Sequence, residues 1–144
     1  MPKMIFVNLP VADLDRSIAF YKAVGAEQNL QFSDETGACM AFSEAIQVMI
    51  LTHDKYRQFT RKPIAEAHTS SEVLLCLNTE TRDEVDSITE KAAAAGGVAD
   101  PAPVQDHGWM YSRSFEDPDG HHWELAWMDL AALAAANPAE AETA

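Results

Sequence analysis

The clearest alternation of apolar and polar positions in the chain lies in residues 121–127. Trp123 and Leu125 fall on one face of a two-residue repeat, and Glu124 falls on the other. Such alternation predicts a strand with one buried face. The preceding Asp117–Gly120 segment has turn chemistry, because Pro fixes φ and Gly accepts positive φ. An acid in mid-strand, opposite large apolar side chains, therefore suggests a pocket around Glu124.

The pattern of the remaining chain predicts the same series of elements twice. The first half reads as a strand, a helix that begins at the N-cap Asp13 and ends at Gly25, and three further strands. The second half reads as a strand, a helix opened by a capping box at Thr81 and Glu84, and about three strands. The predicted strands are residues 4–9, 27–33, 38–43, 46–52, 72–78, 98–104 (a short edge strand or irregular), 109–115 and 121–127.

A long connector separates the two halves. Four of its residues are basic, and two aromatic residues are interleaved with them: Lys55, Tyr56, Arg57, Phe59, Arg61 and Lys62. The segment is either a lid that carries cationic groups or a solvated connector, and loop statistics favour the connector. We expect one domain over residues 1–128, with module one at about 4–53, the connector at 54–70 and module two at 71–128. A tail follows at 129–144, with a short helix at 129–136.

Composition narrows the function classes. The 10 basic residues face 23 acidic ones, giving a net charge of −13, which opposes nucleic-acid binding. Neither a membrane-spanning run nor a leader pattern is present in the sequence, so the default expectation is a cytoplasmic protein with no membrane partner. Cys39 and Cys76 each stand in an apolar run and are expected to be buried thiols.

Two motifs resemble one known superfamily. Residues 11–21 (VADLDRSIAFY) after the first strand and residues 117–125 (DPDGHHWEL) at the last hairpin are similar to the glyoxalase/bleomycin-resistance/dioxygenase, or vicinal oxygen chelate, superfamily. Residues 72–77, 108–111 and 123–128 look more closely like a bacterial branch labelled lactoylglutathione-lyase-like. The resemblance implies an α+β fold in which two βαβββ modules form a half-open, cup-shaped barrel, and it implies a homodimer.

The resemblance also implies positions for metal ligands. The positions that bind metal in superfamily enzymes fall here on Phe6, Ile50, Glu72 and Glu124. Two of these are apolar, so the site is degenerate, with Glu72 and Glu124 as its metal-binding candidates. Asn8 or His122 could add one ligand. A divalent metal is compatible with this set, but bound metals normally need three or four placed ligands, so the count favours a metal-free cup.

The candidate site follows from this mapping. Glu124 is the expected base or ligand and Glu72 its partner, and either His122 or an arginine of the connector could stabilise developing negative charge. The expected ligand-binding residues are Asn8, Phe6, Ile50, Trp109, Tyr111 and Arg113. Arg113 has an alternative role, because a charge inside a strand could instead pair with an acid of the protein.

Two functions remain open from the sequence. The first is a glyoxalase-like enzyme, a lyase, isomerase or related activity, that acts on a small organic molecule in a cup lined by Glu72 and Glu124. The second is a non-catalytic protein of the bleomycin-resistance type that binds a drug or toxin. Loss of two ligand positions favours the binding protein, whereas the two retained acids favour the enzyme.

Overall fold

The first sheet is built from residues of the N-terminal half. The computed structural model describes residues 2–136. Its first sheet has the order β1-β4-β3-β2, with β1 parallel to β4 and the other pairs antiparallel. The elements are β1 (Ile5–Val11), α1 (Leu14–Ala23), β2 (Glu27–Asn29), β3 (Gly37–Ala41), β4 (Ile46–Thr52) and α2 (His53–Tyr56).

The second sheet repeats this plan. Its order is β5-β9-β8-β6, with β5 parallel to β9 and a short β7 paired to β8. The elements are β5 (Leu75–Thr79), α3 (Arg82–Ala94), β6 (Val98–Ala99), β7 (Gln105–Asp106), β8 (Met110–Glu116), β9 (His122–Met128) and α4 (Leu130–Ala136). The expected α+β fold of two βαβββ modules is confirmed, and over residues 2–136 the sheets do not close into a barrel.

The helices form where the capping residues predict them. The Asp13 side chain accepts a hydrogen bond from the Arg16 backbone N–H, and the Thr81 side chain accepts one from Glu84. Each bond satisfies a donor at a helix start that has no partner within the helix. Helix α1 then buries Phe20 and Tyr21 between the sheets.

The core is shared by both halves. Phe20 packs against Phe115 of β8, and Tyr21 packs against Trp123 of β9. Because Trp123 and Leu125 are both 2% exposed, the predicted buried face of the last strand is confirmed.

A buried polar cluster fixes the turn before β9. The Tyr21 hydroxyl donates to Asp117 Oδ2 at 2.6 Å, and Trp123 Nε1 donates to the Tyr21 oxygen at 3.0 Å. Asp117 Oδ1 accepts the backbone N–H groups of Asp119 and His121. Burial raises the pKa of the Asp117 carboxyl, and burial together with the Asp117 charge raises that of Tyr21 well above its usual value. The cluster holds the turn rigidly against α1.

Several sequence-based boundaries are corrected. Strand β5 begins at Leu75 rather than Glu72, because its pairing with β9 starts where Leu75 lies opposite Trp123. The predicted strand at residues 27–33 stops at Asn29 and continues as a 3-10 turn, whereas residues 98–104 contain the short edge strand that was expected, Val98–Ala99. The predicted short helix near residue 130 is present as α4. The rest of the expected tail, residues 137–144, lies outside the described residues.

Among residues 2–136, every helix is too short or too polar to cross a membrane.

Candidate functional site

A cavity of about 630 Å³ lies between the connector, the start of β9 and strand β1. Asn8 borders it on β1, and His121 and His122 border it at the start of β9. The connector supplies most of the remaining wall, including Tyr56, Lys62 and His68, and Glu72 follows it before β5. Polar, ionisable and apolar side chains together therefore surround a space large enough for a small organic molecule.

The connector is held in place by the turn before β9. Gly120 has φ of +91°, and a Cβ atom there would lie 2.6 Å from the His68 backbone nitrogen. Only glycine allows this approach, because any side chain would collide with the connector backbone. Most connector residues are exposed, as in a solvated connector, and several of them also border the cavity.

The face of β9 that carries Glu124 also carries His122. The Nε2 atom of His122 lies 3.4 Å from Glu124 Oε2. His122 lines the cavity, whereas Glu124 is not among its lining residues. The His122 imidazole therefore borders the cavity, and the Glu124 carboxylate contacts that imidazole.

Cys76 lies beside this pair, because it is paired with Glu124 across β5 and β9. Desolvation, with a smaller contribution from the Glu124 charge, raises the pKa of the Cys76 thiol. The expectation that both cysteines are buried is correct for Cys39 and wrong for Cys76, since β5 is an edge strand and leaves its thiol exposed.

The structure brings together only part of the predicted site. Asn8, Glu72 and His122 line one cavity. Phe6 is on β1 but not in this wall, and its side chain is 54% exposed. Ile50 is wrong as a ligand contact, because it pairs with Leu9 on the core face and is 0% exposed.

Tyr111 and Arg113 lie on the opposite face of the sheet. Ser114 pairs with Glu124, so the alternation of β8 turns Tyr111 and Arg113 away from it. Arg113 donates to both Asp100 oxygens, at 3.0 and 2.7 Å, and to Asp86 at 2.9 Å. The prediction that Tyr111 and Arg113 bind the ligand is therefore corrected, because both residues have structural roles.

The same network shifts the ionisation of its members. Two hydrogen bonds lower the pKa of Asp86: the one from Tyr111 has the larger effect and the one from Arg113 the smaller. Hydrogen bonding to Asp100 raises the pKa of Arg113. Trp109 precedes β8 and stacks on His107, with ring centroids 6.3 Å apart. None of Trp109, Tyr111 and Arg113 lines the cavity.

The side chains that could bind a metal ion do not form a metal site within one chain. In the part of the chain that the structure describes, His, Cys, Asp and Glu form no group of three or more that could hold one. His122 and Glu124 are adjacent, but Glu72 does not complete a triad with them. Bound divalent metals normally need three or four placed ligands.

The comparisons with known proteins agree with this fold. A model of the Glyoxalase/Bleomycin resistance protein/Dioxygenase superfamily matches residues 3–125. The chain therefore belongs to this superfamily, as the sequence motifs indicated.

Solved structures share the fold of this chain. A hypothetical protein from S. aureus is 27% identical, with a TM-score of 0.73, covering 88% of this chain and 94% of that one. A glyoxalase/bleomycin resistance protein/dioxygenase family enzyme from Burkholderia phytofirmans is 20% identical, with a TM-score of 0.71 and coverage of 88% and 99%. The fosfomycin resistance protein FosX from Listeria monocytogenes is 23% identical, with a TM-score of 0.64 and coverage of 88% and 91%. The comparison with curated proteins gives no match.

Sequence reasoning missed several residues of the cavity wall. Tyr56 and Lys62 were noted only as part of the connector, and Glu116 was not noted at all, although it ends β8 beside His122. The cluster of basic and aromatic residues in the connector was the available signal. No signal in the sequence pointed to Glu116.

Proposed function

We propose that the protein is an enzyme that acts on a small organic molecule bound in the cavity, with His122 as the proton-transfer group. The observation that carries this proposal is the His122–Glu124 contact at the cavity wall. A carboxylate that accepts the N–H of an imidazole fixes its tautomer and leaves the second ring nitrogen free to take a proton. Glu124 is then a positioning residue, which revises its expected role as the base.

The other charged groups of the wall have complementary roles in this proposal. Glu72 provides a carboxylate for a cationic or hydroxyl group of the substrate, and Lys62 provides a positive charge on the connector side. An ammonium group near the reacting centre can stabilise negative charge that develops after proton removal. No step requires a metal ion, because the described residues do not fit one.

A homodimer forms part of the proposal. Strands β1 and β5 are both sheet edges, and exposed apolar side chains lie along or just before them: Met4, Ile5, Phe6, Val73 and Leu74. Exposed apolar edges are a hazard for an isolated chain, so proteins normally cover them. A second copy that covers these edges would add its own residues near the open side of the cavity.

The second candidate is a binding protein without catalysis. It is favoured by the acidic character of the chain, which suits a cationic ligand. In that case Glu72 would bind a cationic group of the ligand, and His122 would supply only a hydrogen bond.

One set of variants distinguishes the two functions. The wild type, Glu72→Gln, His122→Asn and Glu124→Gln are compared by ligand-dependent melting and by turnover, with Glu90→Gln on the outer surface of α3 as the charge-matched control. The compounds include the methylglyoxal–glutathione adduct and fosfomycin, the latter because FosX is a structural neighbour.

The enzyme proposal predicts that His122→Asn loses turnover by about 10²-fold or more while it keeps the melting shift, as expected for loss of a general base. Glu124→Gln lowers turnover less, because the imidazole remains. Binding that depends on Glu72, without turnover in any form, would establish the binding protein. Wild-type turnover in His122→Asn would exclude His122 as the proton-transfer group.

A further inference from the structure

A second cavity of about 580 Å³ lies on the other side of the connector, between the start of α1, helix α2 and the Asp117–Gly120 turn. It shares part of its wall with the first cavity, including His68 and His121. The proposed function does not use this second space. It is therefore a separate candidate for ligand binding.

The basic groups of this wall distinguish it from the rest of an acidic chain. Two guanidinium groups, Arg16 and Arg57, and three imidazoles, His53, His68 and His121, surround the space. The chain as a whole carries a net charge of −13. A wall that collects two of the ten Lys and Arg residues and three of the five histidines is therefore unusual for this protein.

The two acids of the wall already have hydrogen-bond partners. Asp119 Oδ1 accepts the backbone N–H of Ala12 at 2.9 Å, and Glu66 Oε1 accepts that of His68 at 3.1 Å. Both carboxylates thus fix the local backbone. Both carboxylates keep their negative charge, so with neutral imidazoles the formal charge of the wall is zero, compared with −13 for the whole chain.

The two arginines, by contrast, are loosely paired. The Arg16 contact with Asp119 is long, at 3.4 Å, and the Arg16 side chain is 44% exposed. Arg57 contacts Asp54, whose side chain is 97% exposed and does not line the cavity. Exposed ion pairs of this kind contribute little, so both guanidinium groups can turn to a stronger partner.

We propose that this second cavity binds a compact phosphate-bearing anion, with Arg16 and Arg57 as its main ligands. Guanidinium groups form paired hydrogen bonds with the oxygens of phosphate and carboxylate groups. The imidazoles of His53 and His68 add donors on the same wall. His121 donates through Nε2–H to the Pro10 carbonyl oxygen, at 2.7 Å, and so contributes to the shape of the wall rather than to anion binding.

Titration with inorganic phosphate tests the proposal. Affinity is measured by calorimetry at constant ionic strength, and the site is located by backbone amide shifts in NMR spectra. Wild type is expected to bind phosphate with a Kd below about 5 mM, and Arg57→Gln to weaken binding about tenfold, as for loss of one charge-assisted contact. The amide shifts are expected at residues 53–57 and 119–121.

Arg61→Gln is the matched control, because Arg61 lies on the same connector and lines neither cavity. It is expected to bind phosphate within about twofold of wild type, since general charge effects are screened at physiological salt. The proposal is overturned if Arg57→Gln and Arg61→Gln weaken binding equally, if phosphate does not bind, or if the shifts cluster at Glu72 and His122 instead.

Discussion

Replacement of Tyr21 by Phe tests the buried cluster that holds the β8–β9 turn in place. The hydroxyl donates to Asp117 at 2.6 Å and accepts from Trp123 at 3.0 Å, and all three residues are at most 2% exposed. Tyr21→Phe removes one hydrogen bond to a carboxylate and leaves the indole N–H without its partner. Each such loss in a buried setting costs about 1–3 kcal/mol, so the expected loss in free energy of unfolding is about 3 kcal/mol.

For a chain of 144 residues, that loss lowers the melting temperature by roughly 10 °C. The assay is urea unfolding followed by tryptophan fluorescence, with a thermal melt in parallel. Tyr111→Phe is the matched control, because its hydroxyl also donates to a carboxylate, Asp86, at 2.6 Å. Asp86 is only half-buried and keeps its ion pair with Arg113. We therefore expect Tyr111→Phe to lower the free energy of unfolding by about 1 kcal/mol.

The Tyr21→Phe effect also depends on pH. The bond from Tyr21 lowers the Asp117 pKa, although burial raises it overall. The bond therefore favours the ionised carboxyl, and the loss shrinks when acid protonates Asp117. Equal losses in Tyr21→Phe and Tyr111→Phe at neutral pH would refute the view that the buried cluster anchors the turn.

Three further predictions follow from the same contacts. Asp117→Asn should change the pH dependence of unfolding. Because the Asp117 pKa is raised in the folded state, wild type gains stability relative to the variant as pH falls through that pKa. Urea unfolding between pH 4 and 8 measures the difference. Gly120→Ala should lose about 2–4 kcal/mol and expose the connector to trypsin, because its Cβ would collide with the backbone at His68. Arg113→Met should lose about 2 kcal/mol in urea unfolding, because it leaves Asp100 without its guanidinium partner and Asp86 with only the Tyr111 hydroxyl, while calorimetry shows unchanged ligand affinity.

Each of these has a result that contradicts it. A pH profile of Asp117→Asn parallel to wild type would mean that Asp117 does not favour protonation in the folded state. Gly108→Ala is the control for Gly120→Ala, since Gly108 has φ of +79° but open space around it, and should cost only about 1 kcal/mol. Equal losses of stability in Gly120→Ala and Gly108→Ala would contradict the close packing of the connector on Gly120. Weakened ligand binding in Arg113→Met would contradict its assignment to the far face.

The fold could be predicted from local signals. Asp13 and Thr81 mark helix starts by their side-chain chemistry, and alternation around Trp123 identifies the buried face of β9. These signals act over a few residues and repeat in both halves. The order of elements was therefore readable without coordinates.

The site was predicted less well, for a specific physical reason. The alternation used for β9 also applies to β8, and its pairing through Ser114 and Glu124 sends Tyr111 and Arg113 to the other face. The register between strands was not readable from either strand alone. The prediction that Ile50 contacts the ligand was wrong for the same reason, since its orientation depends on its pairing with Leu9.

The connector could not be placed from sequence at all. Its position depends on the contact between His68 and Gly120, which are 52 residues apart in the sequence. Long irregular segments have no periodic pattern that reports such contacts. The cavity wall at Tyr56, Lys62 and Glu72 therefore became visible only in the structure.

The central claim is that a ligand occupies the cavity beneath the connector and contacts His122. The most direct measurement is an amide shift map of the protein saturated with the compound that gives the largest melting shift. We predict that shifts concentrate at Asn8, residues 60–72 and His122. Shifts confined to the α3-covered face around Tyr111 and Arg113, with the connector unchanged, would contradict the claim.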